Sequence, residues 1–176
     1  MIYPELQGLL YHGSYTEVSK IELLKCAPKK DFGIGFYTTK SQKQAEKFAQ
    51  IKSAREKKKW GFVSVFEFSG DINLNIKKFD SANIEWLNFI LENRGFAAKT
   101  SKDEYDMIIG AVADDAVGLV LNQLIIGTYG EPNSTVAKET AIRLLDTDKL
   151  YNQILFGTEK AINTLKFKET YRVNVN

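Results

Sequence analysis

Leu10-Tyr11-His12-Gly13-Ser14 and Asp31-Phe32-Gly33-Ile34-Gly35-Phe36-Tyr37-Thr38-Thr39 decide how this chain reads. The first stretch ends an apolar run on the only histidine of the protein, followed at once by glycine. The second is a glycine-hinged turn that opens into an aromatic and β-branched segment. They predict one strand that ends near His12 and another that begins after Gly35. Further along, Ser41 and Gln44 have the spacing of a capping box, and Ala45, Phe48 and Ala49 follow on one face. A helix therefore begins at Ser41. Arg55-Glu56-Lys57-Lys58-Lys59 reads as its solvated end, because cations favour a helix C-terminus. Phe62 to Phe68 predicts a strand, and Ser81 to Asn93 a helix that stops at Gly95. Tyr105 to Val112 is a buried strand, after which Asp114-Asp115 caps a short helix. Thr135 to Leu145 reads as another helix, Ile154-Leu155-Phe156 as a short strand, and Glu159 to Leu165 as a helix or turn. Tyr171, Val173 and Val175 alternate with polar residues as a last edge strand. Strands and helices mix without a regular βαβ repeat, so the expected class is α+β.

The length of 176 residues predicts a single domain spanning positions 1–176. An apolar share of 44% with 12% aromatics is enough for a full core. Lysine and arginine number 24 against 22 acids, and the net charge of +2 is too small to imply nucleic-acid binding by itself. One cysteine, Cys26, excludes an internal disulfide and a cysteine-rich metal site. A single histidine excludes a multi-histidine centre, so no metal is expected. The first residues lack a basic start before their apolar run, and no stretch approaches the roughly 18 apolar residues of a membrane helix. A cytoplasmic protein without membrane contact is the expectation.

His12 is the first candidate for chemistry. A neutral imidazole offers one donor and one acceptor, and the glycine after it lets a ligand approach the backbone. The alternative is a partly buried histidine at a strand end. Tyr37 is the second candidate, because its ring face can stack on a planar ligand. The alternative there is a hairpin in which Phe36 and Tyr37 are ordinary core aromatics. The glycines lack both the six-residue dinucleotide fingerprint and the lysine ending of a P-loop. Trp60 and Trp86 read as core aromatics, and Cys26 as a small packing residue. Lys29-Lys30 is either solvated or meets a phosphate.

Taken together, the two stretches resemble the first two motifs of the ADP-ribosyltransferases, which cleave NAD and transfer its ADP-ribose. The chain also resembles, over nearly its whole length, a small bacterial family regarded as ADP-ribosyltransferase-like. Shared segments are the His-Gly-Ser start, Asp-Phe-Gly-x-Gly-Phe-Tyr, Tyr105 to Asp115, and Gln153-Ile154-Leu155-Phe156-x-Thr158-Glu159-Lys160-Ala161. The resemblance implies a split, strongly bent β-sheet with flanking helices and NAD, as substrate, in the cleft. It implies that His12 bonds a ribose hydroxyl, that Gly13 pairs with the nicotinamide amide, and that Tyr37 stacks on nicotinamide. Ser14, Asp31, Phe32, Gly33 and Gly35 would line the cofactor site beside them. Gln153 stands where the family has a glutamate. An amide keeps the ribose hydrogen bond but brings no charge and no base. The substitute acids are Asp106, Asp114, Asp115 and Glu159, with Asp115 chosen as catalytic. The expected activity is mono-ADP-ribosylation of a protein or nucleic-acid acceptor, as a bacterial toxin or conflict-system effector with a neutralising antitoxin partner. The alternatives are an NAD glycohydrolase and a catalytically weak NAD- or ADP-ribose-binding module.

Overall fold

The computed structural model describes residues 3–27, 30–70, 73–97, 105–111, 115–145 and 152–175. They form a mixed α+β arrangement around one seven-stranded sheet. In chain order come β1 (Leu9–Ser14), β2 (Phe36–Thr39), α1 (Gln42–Arg55), β3 (Trp60–Phe68), β4 (Ile76–Lys78) and α2 (Ile84–Arg94). Then follow β5 (Met107–Ala111), α3 (Asp115–Ile125), α4 (Thr135–Leu144), β6 (Asn152–Phe156), α5 (Glu159–Ile162) and β7 (Leu165–Asn174). The spatial order is β4-β5-β6-β2-β1-β3-β7, and every pairing is antiparallel except β4 with β5.

The helix signals act through named caps. Ser41 accepts from the Gln44 backbone N–H at 3.2 Å and so satisfies a free donor at the start of α1. The return half of the capping box is absent: the Ser41 N–H donates to Thr39 Oγ1 at 3.1 Å, and the Gln44 side chain bonds Thr39 instead. Asn83 caps α2 by accepting from the Trp86 N–H at 2.9 Å. Gly95 ends that helix with φ +82°, a left-handed conformation that glycine reaches without strain. Thr158 and Ser134 cap α5 and α4 in the same way.

Alternation along the strands sorts the core into two faces. On one, Leu10, Phe36, Phe66, Met107, Ile109, Ile154 and Phe156 pack with Ala161 and Ile162 of α5. On the other, Ile108 and Leu155 lie under α2, α3 and α4, with Trp86, Leu87, Ile90, Leu121 and Leu124 fully buried among them. Each such side chain contributes about 1.5–3 kcal/mol by leaving water. Trp86 keeps its indole satisfied by donating to the Ala111 carbonyl at 3.1 Å.

The second face continues over β1, β3 and β7, where α1 lies on Val63 through Ala45 and Ala49. That helix approaches very closely. A Cβ at Gly13 would stand 2.0 Å from the Ala45 carbonyl oxygen, and one at Gly61 2.8 Å from the Ala49 backbone.

All seven strands are joined in one order, but the hydrogen-bonding along it is uneven. β1 and β3 match over six residue pairs, whereas β2 and β1 match only at Tyr11 and Thr39. That single pair leaves a seam between β4-β5-β6-β2 and β1-β3-β7.

Candidate functional site

His12 sits on this seam. Its Nδ1 lies 2.6 Å from the Tyr37 carbonyl oxygen on β2, and its ring stacks on Phe36 at 4.4 Å with 28° between planes. A carbonyl can only accept, so Nδ1 carries the hydrogen and donates. Burial and the nearby Lys52 ammonium push the His12 pKa down to about 3, against the opposing pull of the Tyr37 bond. The imidazole is therefore neutral at physiological pH, and Nε2 is its acceptor. Such a ring can take a hydrogen bond from a hydroxyl but cannot supply a proton.

Lys52 comes from the sheet-facing stripe of α1, three residues after Ala49. Its ammonium donates to the Gly13 carbonyl at 2.7 Å. Burial, with the charge of Lys30, lowers its pKa to about 8. Sequence reading passed it over as one lysine among many; its place in the small-residue stripe of α1 was the available signal. The Lys29 half of the expected lysine pair lies outside the described residues, as does Asp114.

The glycine-hinged turn is built from inside. The Tyr37 hydroxyl donates to the Gly33 carbonyl at 2.7 Å and accepts the Phe32 N–H at 3.1 Å. Burial, with some help from Asp31, pushes its pKa well above the ordinary tyrosine value. Asp31 is held by Arg94 of α2, whose guanidinium approaches the carboxylate at 2.6 and 2.7 Å. Phe32 is only 3% exposed and packs beside Phe79, Phe89 and Tyr37. Gly33 has φ +94°, and a Cβ on Gly35 would meet Leu155 at 2.3 Å and the Phe156 carbonyl at 2.6 Å. Asp31, Phe32, Gly33 and Gly35 thus have structural duties that fix the turn. Gly13 has one too, against α1, which differs from a glycine kept bare for ligand approach. Ser14 is 8% exposed at the end of β1.

Gln153 is partly buried on β6, opposite Thr39 and Gly110. Pleating puts it on the same face as Tyr37, while His12 shares the opposite face with Leu10 and Ser64. The structure therefore joins His12 to Tyr37 through the backbone and keeps Gln153 one strand beyond β2. Asp115 opens α3.

The remaining acids differ in duty. The Asp106 carboxylate accepts from Thr158 Oγ1 at 2.7 Å and from the Asn75 N–H at 2.8 Å. Burial alone would raise its pKa, yet these bonds and the Lys160 ammonium hold it below the usual carboxylate range. It is a staple between strand and helix. Glu159 is an exposed first-turn acid of α5, where negative charge suits the helix end. Cys26 is partly buried, and burial raises its thiol pKa, so it is no ready nucleophile. Among the described residues no three histidine, cysteine or acidic side chains gather to hold a metal, and no helix is long and apolar enough to cross a membrane.

Two surface concavities lie elsewhere, and neither includes His12, Tyr37 or Gln153. A cavity of about 740 Å³ lies between α2 and the α3–α4 turn. A groove of about 540 Å³ lies at the Trp60 end of β3. Trp60 itself is 39% exposed there, which corrects its reading as a core aromatic.

Fold and site together define an α+β protein built on one mixed sheet, with a neutral histidine closing a one-pair seam. The chain belongs to the DUF3990 family, described as proteins of unknown function, whose model matches residues 9–167. No curated protein and no solved structure matches it.

Proposed function

We propose that the chain is an NAD-dependent mono-ADP-ribosyltransferase that holds NAD as its substrate at the seam between β1 and β2. The observation that carries this reading is His12 itself. It is a neutral imidazole locked by Tyr37 into the tautomer whose Nε2 accepts, at the one place where the sheet loses its ladder. An acceptor nitrogen there suits a ribose hydroxyl. Lys52, with Lys30 close enough to influence it, supplies positive charge suited to a pyrophosphate. Gln153, on the Tyr37 face of the sheet, would meet the ligand from the side opposite His12. Asp115, at the start of α3, is the candidate for the negative charge that the amide lacks. As the nicotinamide N-glycosidic bond breaks, an acceptor attacks the anomeric carbon. The acceptor is a protein or a nucleic acid, and the reading includes a toxin restrained by a partner protein.

Incubation of the purified chain with labelled NAD and a cell lysate tests this. Label on a macromolecule supports the transferase. Free nicotinamide with ADP-ribose supports a glycohydrolase instead. The uncharged Gln153 favours a second reading, a binding module for NAD or ADP-ribose, for which NAD stays intact yet binds measurably. A folded protein that neither binds nor consumes millimolar NAD ends all three.

A further inference from the structure

We infer that the groove at the Trp60 end of β3 is a seat for single-stranded nucleic acid. It forms where β1 ends, β3 begins and β7 finishes: Ser14 pairs with Phe62, Phe62 with Arg172, and Trp60 with Asn174. Its volume is about 540 Å³. Three aromatic rings line it, and each has a cation over its face. Lys58 Nζ stands 4.8 Å from the Tyr15 centroid, Lys59 Nζ 5.5 Å from Trp60, and Arg172 Cζ 5.8 Å from Phe62. Tyr15 and Trp60 are 40% and 39% exposed, so neither ring is needed to fill the core. Glu17 is the single acid on the lining.

Partly exposed rings, each paired with a cation, match the chemistry of an unpaired nucleotide run. Bases stack on the rings, and phosphates meet the cations that sit over them. An acidic peptide would use the charges and leave the rings idle. A duplex keeps its base faces stacked inside. The local charge of three cations against one acid is hidden in the net +2 of the whole chain.

Binding here does not depend on the NAD reading. Were that reading to hold, the groove would present an acceptor to the seam. Ser14 and His12 lie on the same face of β1, two residues or about 7 Å apart.

The test is fluorescence anisotropy of a labelled twelve-nucleotide oligothymidylate with the full chain, without NAD, across a salt series. Binding should weaken with salt, with a log–log slope of about −2 for three phosphate contacts. Tyr15→Ala with Trp60→Ala should weaken it by about 10- to 100-fold, and Trp60→Phe, which keeps a ring face, should recover most of that. Replacing Lys58, Lys59 and Arg172 by glutamine should flatten the salt dependence. Circular dichroism of each variant confirms the fold, and Trp60→Phe alone still tests the ring if the double variant unfolds. No binding at low salt, equal binding of duplex, or affinity indifferent to these substitutions overturns the proposal. So does a groove whose variants lose NAD binding while the oligonucleotide never binds; it would then belong to the adenine half of NAD.

Discussion

Gly13→Ala separates two roles that one residue could have. A glycine kept for ligand approach faces open space, and a methyl group there would harm binding while sparing the fold. In the structure the methyl would instead stand 2.0 Å from the Ala45 carbonyl oxygen, 2.8 Å from Ala49 N and 2.9 Å from Ala45 C. All three are backbone atoms of α1, so no side chain can swing aside. The helix must retreat by about 1 Å or more to reach ordinary contact, which also pulls Ala49 from Gly61. Overpacking of this kind costs about 1–3 kcal/mol, and rigid helix backbone puts this case at the upper end. For a chain of this length about 3 kcal/mol lowers Tm by roughly 6–12 °C. Gly61→Ala, whose nearest helix atom is 2.8 Å away, should cost less. Thermal unfolding followed by circular dichroism, with NAD titrated into each variant, reads both effects. A Gly13→Ala protein that melts within about 2 °C of wild type and has lost NAD affinity would refute the packing role. So would a larger loss from Gly61→Ala than from Gly13→Ala.

Acid should destabilise the protein through His12. The unfolded ring binds a proton near the ordinary histidine value of 6.5 and the folded ring near 3, so stability rises with pH across that window and levels off above it. Between pH 6.5 and 5, His12→Phe should escape a loss of at most about 2 kcal/mol that wild type suffers, less where solvent screens the partly exposed ring; denaturant melts at the two pH values check it. Tyr37→Phe removes the hydroxyl that ties Gly33 and Phe32 together and should cost about 1–3 kcal/mol. Its effect on NAD affinity should stay below that of Tyr37→Ala, which deletes the ring, as calorimetry would show. Gln153→Ala should slow NAD turnover up to about 100-fold through lost orientation, and Gln153→Glu should raise it. If both leave turnover unchanged, Gln153 does not stand in the catalytic slot.

Local signals in the sequence were read well where they act locally. The Ser41 cap, the Gly95 stop and the Phe62–Phe68 strand each depend on residues within a few positions, and all three features form. β4 was missed because three residues, Ile76–Lys78, are too few for a period and gain their order from parallel pairing with β5. The first half of β7 was missed because its mostly polar edge positions, Lys166 to Thr170, take their register from β3 across a bulge at Val65/Phe66. The same limit governs the site. His12 and Tyr37 were singled out by type and spacing. That α1 fills the space beside Gly13, that burial with the Lys52 charge keeps His12 neutral, and that Arg94 holds Asp31 all arise between residues more than thirty positions apart. Trp60 looked like core because indole is usually buried; being placed at a strand end, not its type, exposes it.

The seam between β2 and β1 has a mechanical meaning. A ladder of many pairs fixes the twist between neighbouring strands, because turning one against the other breaks several bonds at once. A joint with one pair, Tyr11 with Thr39, lacks that source of stiffness. What spans it is α1, which leaves β2 through Ser41 and reaches over the joint to grip Gly13 with Lys52. Any molecule that bridges the joint ties the two parts to each other as well as to itself. Its binding should slow amide exchange along β1 and β2 together, including at residues it does not touch.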